Sequence, residues 1–335
     1  MSRNQITRIT FLLLAGLLLY LVRGALLSIV LAVVFFYVLD PPVNFLTVKL
    51  KLNRDLAIVI SFLGLILILF LAFQFIVPPL ADEFGLLAAN IPQYMSDIQS
   101  MFNSIEQWQA AVHIPPQMND LLSSGVQELI SYMVSFTQQA ASGLLGMLSR
   151  AVYLVIMPIV TYFMLRDKEN ITKGAMEMIP RDHKDVTLRV LRQIDEVLKN
   201  YIIGQAILCT AVGLICGIGC WILGVKFALI LGIVAAIAQL IPNIGPLIAA
   251  IPALILASLV SPMLAGYVLI LYAVVSVFTT SVLGPKVLGG KLNLHPLTVV
   301  ISILVFGELM GVWGFFFAAP IVATLKILYL ELRNP

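Results

Sequence analysis

The stretch "IVISFLGLILILFLAFQFIV" (Ile58–Val77) decides what this chain can fold into. It carries no charge, and its length matches the ~20 apolar residues that an α-helix needs to cross a bilayer core. Within lipid an unpaired N–H or C=O is costly, so such a run must be helical. The rest of the chain is of the same kind. Of its 335 residues, 61% are hydrophobic and only 11% charged, far below the about one-quarter of a soluble domain. The sequence therefore reads as an all-α polytopic membrane protein.

Eight apolar blocks follow one another. They are Ile9–Val22, Ala25–Leu39, Ala57–Val77, Ala151–Leu165, Tyr201–Leu223, Phe227–Val260, Leu264–Leu283 and Leu297–Leu330. The first resembles a signal peptide. Arg23 and the second block follow it at once without a small-residue cleavage pattern, so the pair reads as an anchor hairpin that is kept. Asp40, beside Pro41–Pro42, reads as the end of the second block. Cys209, Cys216 and Cys220 share one helix face at spacings of seven and four and read as small packing residues.

Basic residues set the sidedness. Arg3, Arg8, Lys49, Lys51 and Arg54 mark inside ends, and between Arg54 and Arg150 there is no Lys or Arg. That interval holds Asp82, Glu83, Asp97, Glu106, Asp120 and Glu128 and reads as external. The chain returns inside at Arg166–Lys199, again at Lys286 and Lys291, and ends inside with Lys326 and Arg333. The expected organisation is membrane spans over 1–80, an external helical segment over 81–149, and a fourth span over 150–165. A cytoplasmic amphipathic linker over 166–200 and a transport core over 201–335 complete it.

Parity requires Phe227–Val260 to begin and end outside and Leu297–Leu330 to begin and end inside. Both blocks are interrupted, and by one template. "QLIPNIGPLIAA" (Gln239–Ala250) and "ELMGVWGFFFAA" (Glu308–Ala319) share a polar residue followed by Leu. Each then has a breaker at the fourth position (Pro242, Gly311), glycine at the seventh (Gly245, Gly314) and a closing Ala-Ala. The offset is constant, 308 − 239 = 69 and 314 − 245 = 69, and a proline follows each copy (Pro252, Pro320). Two such blocks, each after a full span, predict an inverted repeat over 201–260 and 264–332 with two broken or re-entrant hairpins. Broken backbone is tolerated in lipid only where protein or a wet cavity satisfies it, so the two breaks are expected to meet near mid-membrane and build one polar site.

The candidate contacts for cargo or ion are Gln239, Asn243 and Glu308. Gly245, Gly311 and Gly314 would let backbone approach the cargo, and Pro242 would hold one break. Glu308 is the candidate coupling residue, because an intramembrane carboxyl is functional by default. Asn293 and His295 are candidates for the hairpin entrance, with His295 before Pro296 suited to a helix start. No metal-ligand spacing links the three histidines, no phosphate loop of the GxxxxGK[ST] type is present, and no nucleophile–base pair stands out. An enzyme, a cofactor and a nucleic-acid partner are therefore not expected. In the external segment, Ile98–Trp108 and Leu122–Phe136 each carry an apolar stripe at helical spacing around the turn "HIPPQMND". In the linker, "IPRDHKD" reads as the start of a mixed-charge helix Val186–Lys199.

"Y-x2-GQ" (Tyr201–Gln205), "IPNIGPLIAAIPA", "GPKVLGGKLNLHPL" and "GVWGFFFAAPIVATLK" occur in order along the second half. Together they resemble the permease family that includes the autoinducer-2 exporters, and the anchor hairpin, external segment and linker fit the same plan. The resemblance implies a homo-oligomeric protein of the bacterial inner membrane with about eight membrane segments. Family members are described as exporters of a small polar signalling molecule and some as sodium–proton antiporters. Many relatives carry a tyrosine where this chain has Asn243. The expected function is secondary transport of a small polar solute by alternating access at two hairpin tips. The alternatives are a sodium or other cation–proton antiporter, and a non-transporting scaffold that works through its external helices.

Overall fold

The structure, a computed structural model, describes residues 23–110, 151–177, 179, 184–242, 244–288 and 294–333. The block Ile9–Val22, the turn "HIPPQMND", the stripe Leu122–Phe136, Asn243 and Asn293 lie outside these. Every regular element among the described residues is helical. Five helical stretches are long and apolar enough to cross a bilayer, namely Ser28–Lys49, Arg54–Leu87, Lys184–Ile222, Pro262–Leu288 and Trp313–Glu331. The protein is an all-α polytopic membrane protein.

The chain divides into two compact units, one from Met1–Ile68 with Leu144–Leu188, the other from Leu69–Gly143 with Arg189–Pro335. In the first, α1 (Arg23–Lys49) packs on α3 (Ala151–Arg166), and the start of α2 (Arg54–Ala110) and α4 (Lys168–Glu177) join them. The Thr161 hydroxyl crosses to the Ala32 carbonyl at 3.2 Å. One end of this unit gathers the charges. Arg54 Nε donates to the Leu165 carbonyl at 2.9 Å, one of the carbonyls that the end of α3 leaves without an intrahelical partner. Lys168 Nζ reaches the buried Asp40 carboxylate at 3.0 Å, and Arg166 lies 3.4 Å from Asp55. Asp40 does not end its helix, because α1 continues through Pro41 and Pro42 to Lys49; the lysine partner holds the carboxylate against the helix side.

Two changes of polarity along the chain fall inside continuous helices. α2 runs unbroken through Pro78–Pro79, from the apolar run into the more polar stretch that follows it. Likewise α5 (Lys184–Ile222) fuses the amphipathic linker and the following span into one helix of 39 residues. Polarity changes along both helices, but nothing at either boundary stops the backbone from continuing.

The second unit is built on α5. After it come α6 (Ala228–Ala238), α7 (Gly245–Ser258) and α8 (Pro262–Phe278). A π-helical turn (Thr279–Leu283) leads into α9 (Gly284–Leu288), and α10 (Pro296–Met310) and α11 (Val312–Arg333) close the chain. α6 packs on α7 and α10 on α11. The two expected breaks are therefore real, at Gln239–Ile244 and at Gly311, and each joins two helices packed on one another. The core of the unit is small-residue rich. Val212, Cys216, Cys220, Leu231, Ala235, Ala249, Ala253 and Tyr272 are all buried, and the cysteines are free thiols.

Candidate functional site

The site is best built from three residues of α5. Tyr201, Gly204 and Gln205 lie within four positions, so they share one side of the helix one turn apart, and all three are buried. The Tyr201 hydroxyl donates to the Phe316 carbonyl of α11 at 2.6 Å. The reason lies four residues on: Pro320 has no N–H, so the Phe316 carbonyl lacks its helical donor, and the tyrosine supplies one. The Tyr201 ring also meets the Phe316 ring edge-on, with centroids 5.6 Å apart. Gly204 lets α9 close in, since a Cβ there would stand 3.2 Å from the Val287 carbonyl oxygen. Gln205 Nε2 donates to the main-chain carbonyl of Gln239, the residue that ends α6. One short motif thus touches the end of α6, α9 and α11.

These contacts fix the relative depths. α6 descends antiparallel to α5, with Gly217 facing Ala228 and Gly232, and Gly213 facing Gly232 and Ala236. Val225, ahead of α6, bonds to the Cys220 carbonyl at 2.9 Å. From Cys220 to Gln205 is 220 − 205 = 15 residues, about 22 Å of helix, set against a hydrocarbon core of about 30 Å. α11 also lies antiparallel to α5, because Tyr201 meets Phe316 and Arg189 meets Glu331 at 3.2 Å. Gly311 stands five residues from Phe316, about 7.5 Å, on the side toward Gln205, which is itself about 6 Å from Tyr201. The two turns therefore share one level along α5. That level is about one helical turn inside the apolar part of α5, which begins at Tyr201.

The sequence-predicted residues are placed unevenly. Gln239 is 3% exposed. Pro242 is half-buried within the turn. Gly245 begins α7, and the space of its missing side chain is filled by the Ala238 carbonyl; that of Gly314 is filled by the Phe306 carbonyl. Each of these glycines closes its own hairpin. Gly311 turns the chain with φ 61° and ψ −139°, a conformation open in practice to glycine alone. Glu308 is exposed on α10, and no ion pair to it is found among the described residues. His295 caps α10, its Nδ1 accepting from the Leu297 N–H at 3.2 Å. Among the described residues no group of three His, Cys, Asp or Glu could hold a metal ion.

A profile of the AI-2E family transporters matches residues 9–334. The chain belongs to this family. The relatives carry matching names. The chain is 29% identical over 303 residues to "Putative transport protein YueF" of Bacillus subtilis (strain 168), which covers 89% of this chain and 82% of that one. It is 26% identical over 328 residues to "Putative permease PerM" of Escherichia coli (strain K12), covering 92% and 88%. With "AI-2 transport protein TqsA" of the same strain the figures are 27% over 310 residues, 89% and 83%. The protein is thus a multi-pass membrane transporter of the AI-2E family, a family of transporters and permeases rather than of enzymes.

For this AI-2E family transporter, the sequence reading passed over the residues that join the hairpins. Tyr201 and Gln205 stood out only as part of a family signature. Pro320 was the available signal, because an intrahelical proline exposes the carbonyl four residues before it and so calls for a buried donor. Glu83 does more than add charge to its segment. It supplies a cap: its carboxylate accepts from the Ile230 N–H at 3.0 Å and the Leu229 N–H at 3.4 Å. Phe227, which precedes α6, sits in the left-handed region and offers no side-chain cap of its own, and a carboxylate at a helix start also meets the positive end of the helix dipole. Beside it runs an apolar groove of about 440 Å³ lined by Ile76, Gly213, Gly217, Trp221, Leu229 and Gly232.

Proposed function

We propose that this protein moves a small polar solute across the bacterial inner membrane by alternating access about its two hairpin turns, with α5 as the post that both hairpins grip. One observation carries the reading. Tyr201 and Gln205, one turn apart on a single helix, hold main-chain carbonyls of both broken segments at one level. A transporter needs a polar site reachable from either face, and two opposed breaks gripped by one helix supply the polar main chain for it. Gln239, Pro242, Asn243 and Gly311 would line it, with Glu308 one turn away and Asn293 and His295 at the approach. The charge pattern supports the topology: Glu83 and the start of α6, both assigned outside, touch, as do Arg189 and Glu331, both assigned inside.

The name of TqsA makes AI-2 the first solute to try. Proteoliposomes loaded with AI-2 should release it faster with the protein than without. Single cysteines at Asn243 and Val312, in a chain otherwise freed of cysteine, should each react with a membrane-impermeant maleimide despite their apolar surroundings. Complete protection of both positions from both faces would remove the shared wet site and the transport mechanism with it.

A further inference from the structure

Two buried oxygens at the junction of α5 and the first hairpin have no donor among the described residues. They are the side-chain amide oxygens of Gln205 and Gln239. Gln205 is 1% exposed and Gln239 3%. The identity of the first is fixed by its neighbour, because the other end of the Gln205 amide donates to the Gln239 carbonyl and only nitrogen can do that. Its oxygen is therefore the free end. Gln239 closes α6, where the helix dipole places partial negative charge. Two acceptors and a negative helix end thus share one junction. A buried acceptor without a donor carries the full cost of its desolvation, and packing alone would be served better by leucine or methionine, in which this chain abounds.

From this arrangement we infer that Gln205 and Gln239 form a paired-oxygen subsite for an electropositive group, either the O–H or N–H hydrogens of a solute or a monovalent cation. Anionic groups are excluded from it. The inference rests on the transporter reading for its purpose but not for its detection. It also divides the labour within Gln205: the nitrogen holds the first hairpin, and the oxygen faces what passes. The sodium-bearing and hydroxyl-bearing versions share one chemistry and are told apart by the test.

The full-length protein would be labelled with ¹³C-glutamine, placed in lipid nanodiscs, and its side-chain carbonyl signals followed by NMR. The probes are erythritol, sodium chloride balanced by choline chloride, and potassium acetate balanced by potassium chloride. The Gln205 and Gln239 signals are expected to shift together and saturably with erythritol or with sodium, which names the source, and not with acetate. Gln239→Met removes one oxygen and keeps the main-chain carbonyl that Gln205 grips. It should weaken the response of Gln205 about tenfold, the value of one hydrogen bond. Without probe, its unfolding temperature should be unchanged or higher, since an unpaired polar group has been removed. The subsite is overturned if neither erythritol nor sodium moves the signals. It is equally overturned if Gln239→Met unfolds at a clearly lower temperature while the probe response is intact, which marks a purely structural amide. Saturable shifts in a protein that releases no AI-2 would keep the subsite and count against that solute. Release of AI-2 with unresponsive amides would keep transport and remove the subsite.

Discussion

The two hairpins share one sequence pattern, and a glycine and an α5 side chain hold each of them, yet their turns differ. The second turns on a single residue, Gly311, and is sealed by contact between its own limbs. A Cβ on Gly307 would enter the Phe315 ring, and one on Gly314 would enter the Phe306 carbonyl. The first turns between Ala238 and Gly245, and its exposed main chain is satisfied partly within the turn, by the Ile241, Ile244 and Gly245 N–H groups, and partly from outside, by Gln205. The second hairpin closes tightly at one residue, and the first leaves a longer turn whose leading carbonyl is held by a side chain. A tethered turn can release and regain its partner at the cost of one hydrogen bond, net about 0.5–1.5 kcal/mol, whereas a sealed one must repack. We therefore expect the first hairpin to be the mobile one.

The strongest way to break this contrast is to crowd both hairpins. Gly314→Ala drives a methyl group into the Phe306 main chain in the middle of two packed helices. Overpacking of this kind costs about 1–3 kcal/mol and occasionally more, and the variant should lose solute release and unfold at a much lower temperature in nanodiscs. Gly245→Ala pushes on the Ala238 carbonyl, but that residue borders the longer turn, with room to shift. Its loss should be clearly smaller. If Gly245→Ala is the more damaging, the first hairpin is the rigid one.

A second experiment sharpens the role of α5. Tyr201→Phe leaves the Phe316 carbonyl without a donor, because Pro320 cannot supply one. Leaving a buried acceptor unpaired costs about 1–3 kcal/mol. Pro320→Ala restores the helical N–H, so the same tyrosine change in that background should cost less. A double-mutant cycle on unfolding midpoints isolates the difference. Equal costs in the two backgrounds would mean that the hydroxyl does not stand in for the proline's missing donor.

The spans and the breaks were legible because each is local. A run such as Ile58–Val77 states its own environment, and Pro242 and Gly311 state their own backbone. The continuity of α5 was not legible, because hydropathy reports what surrounds a helix and not whether its hydrogen bonds continue; Lys199 and Tyr201 differ in the first respect only. The shared level of the two turns was beyond reach for another reason. It depends on Gln205 and Tyr201 reaching partners 34 and 115 positions away, and sequence spacing says nothing about which helix lies alongside. Only Pro320 left a trace, and that trace names an unmet carbonyl without naming its donor. The glycine template has a second reading. Gly245 and Gly314 match at equal offset, yet each is filled by its own hairpin, so helix closure explains their pattern without cargo.

The smallest expected effect concerns the far end of the first hairpin. Glu83 is the only side chain seen to cap α6 among the described residues, and the second hairpin's first limb is capped instead by the residue that adjoins it, His295. The tethered hairpin is thus held from outside at both ends, by Glu83 at its start and Gln205 at its turn. Glu83→Gln keeps the shape and removes the charge. A carboxylate at a helix start contributes about 0.3–1 kcal/mol when exposed and up to about 2 when partly buried, so the unfolding midpoint should fall slightly. The informative readout is the accessibility of a cysteine at position 243. Loosening the start of α6 should raise its labelling rate in Glu83→Gln, while a cysteine at 312 in the self-sealed hairpin should label as before. Equal acceleration at both positions would show that the hairpins open together, and the division into a tethered and a sealed element would no longer hold.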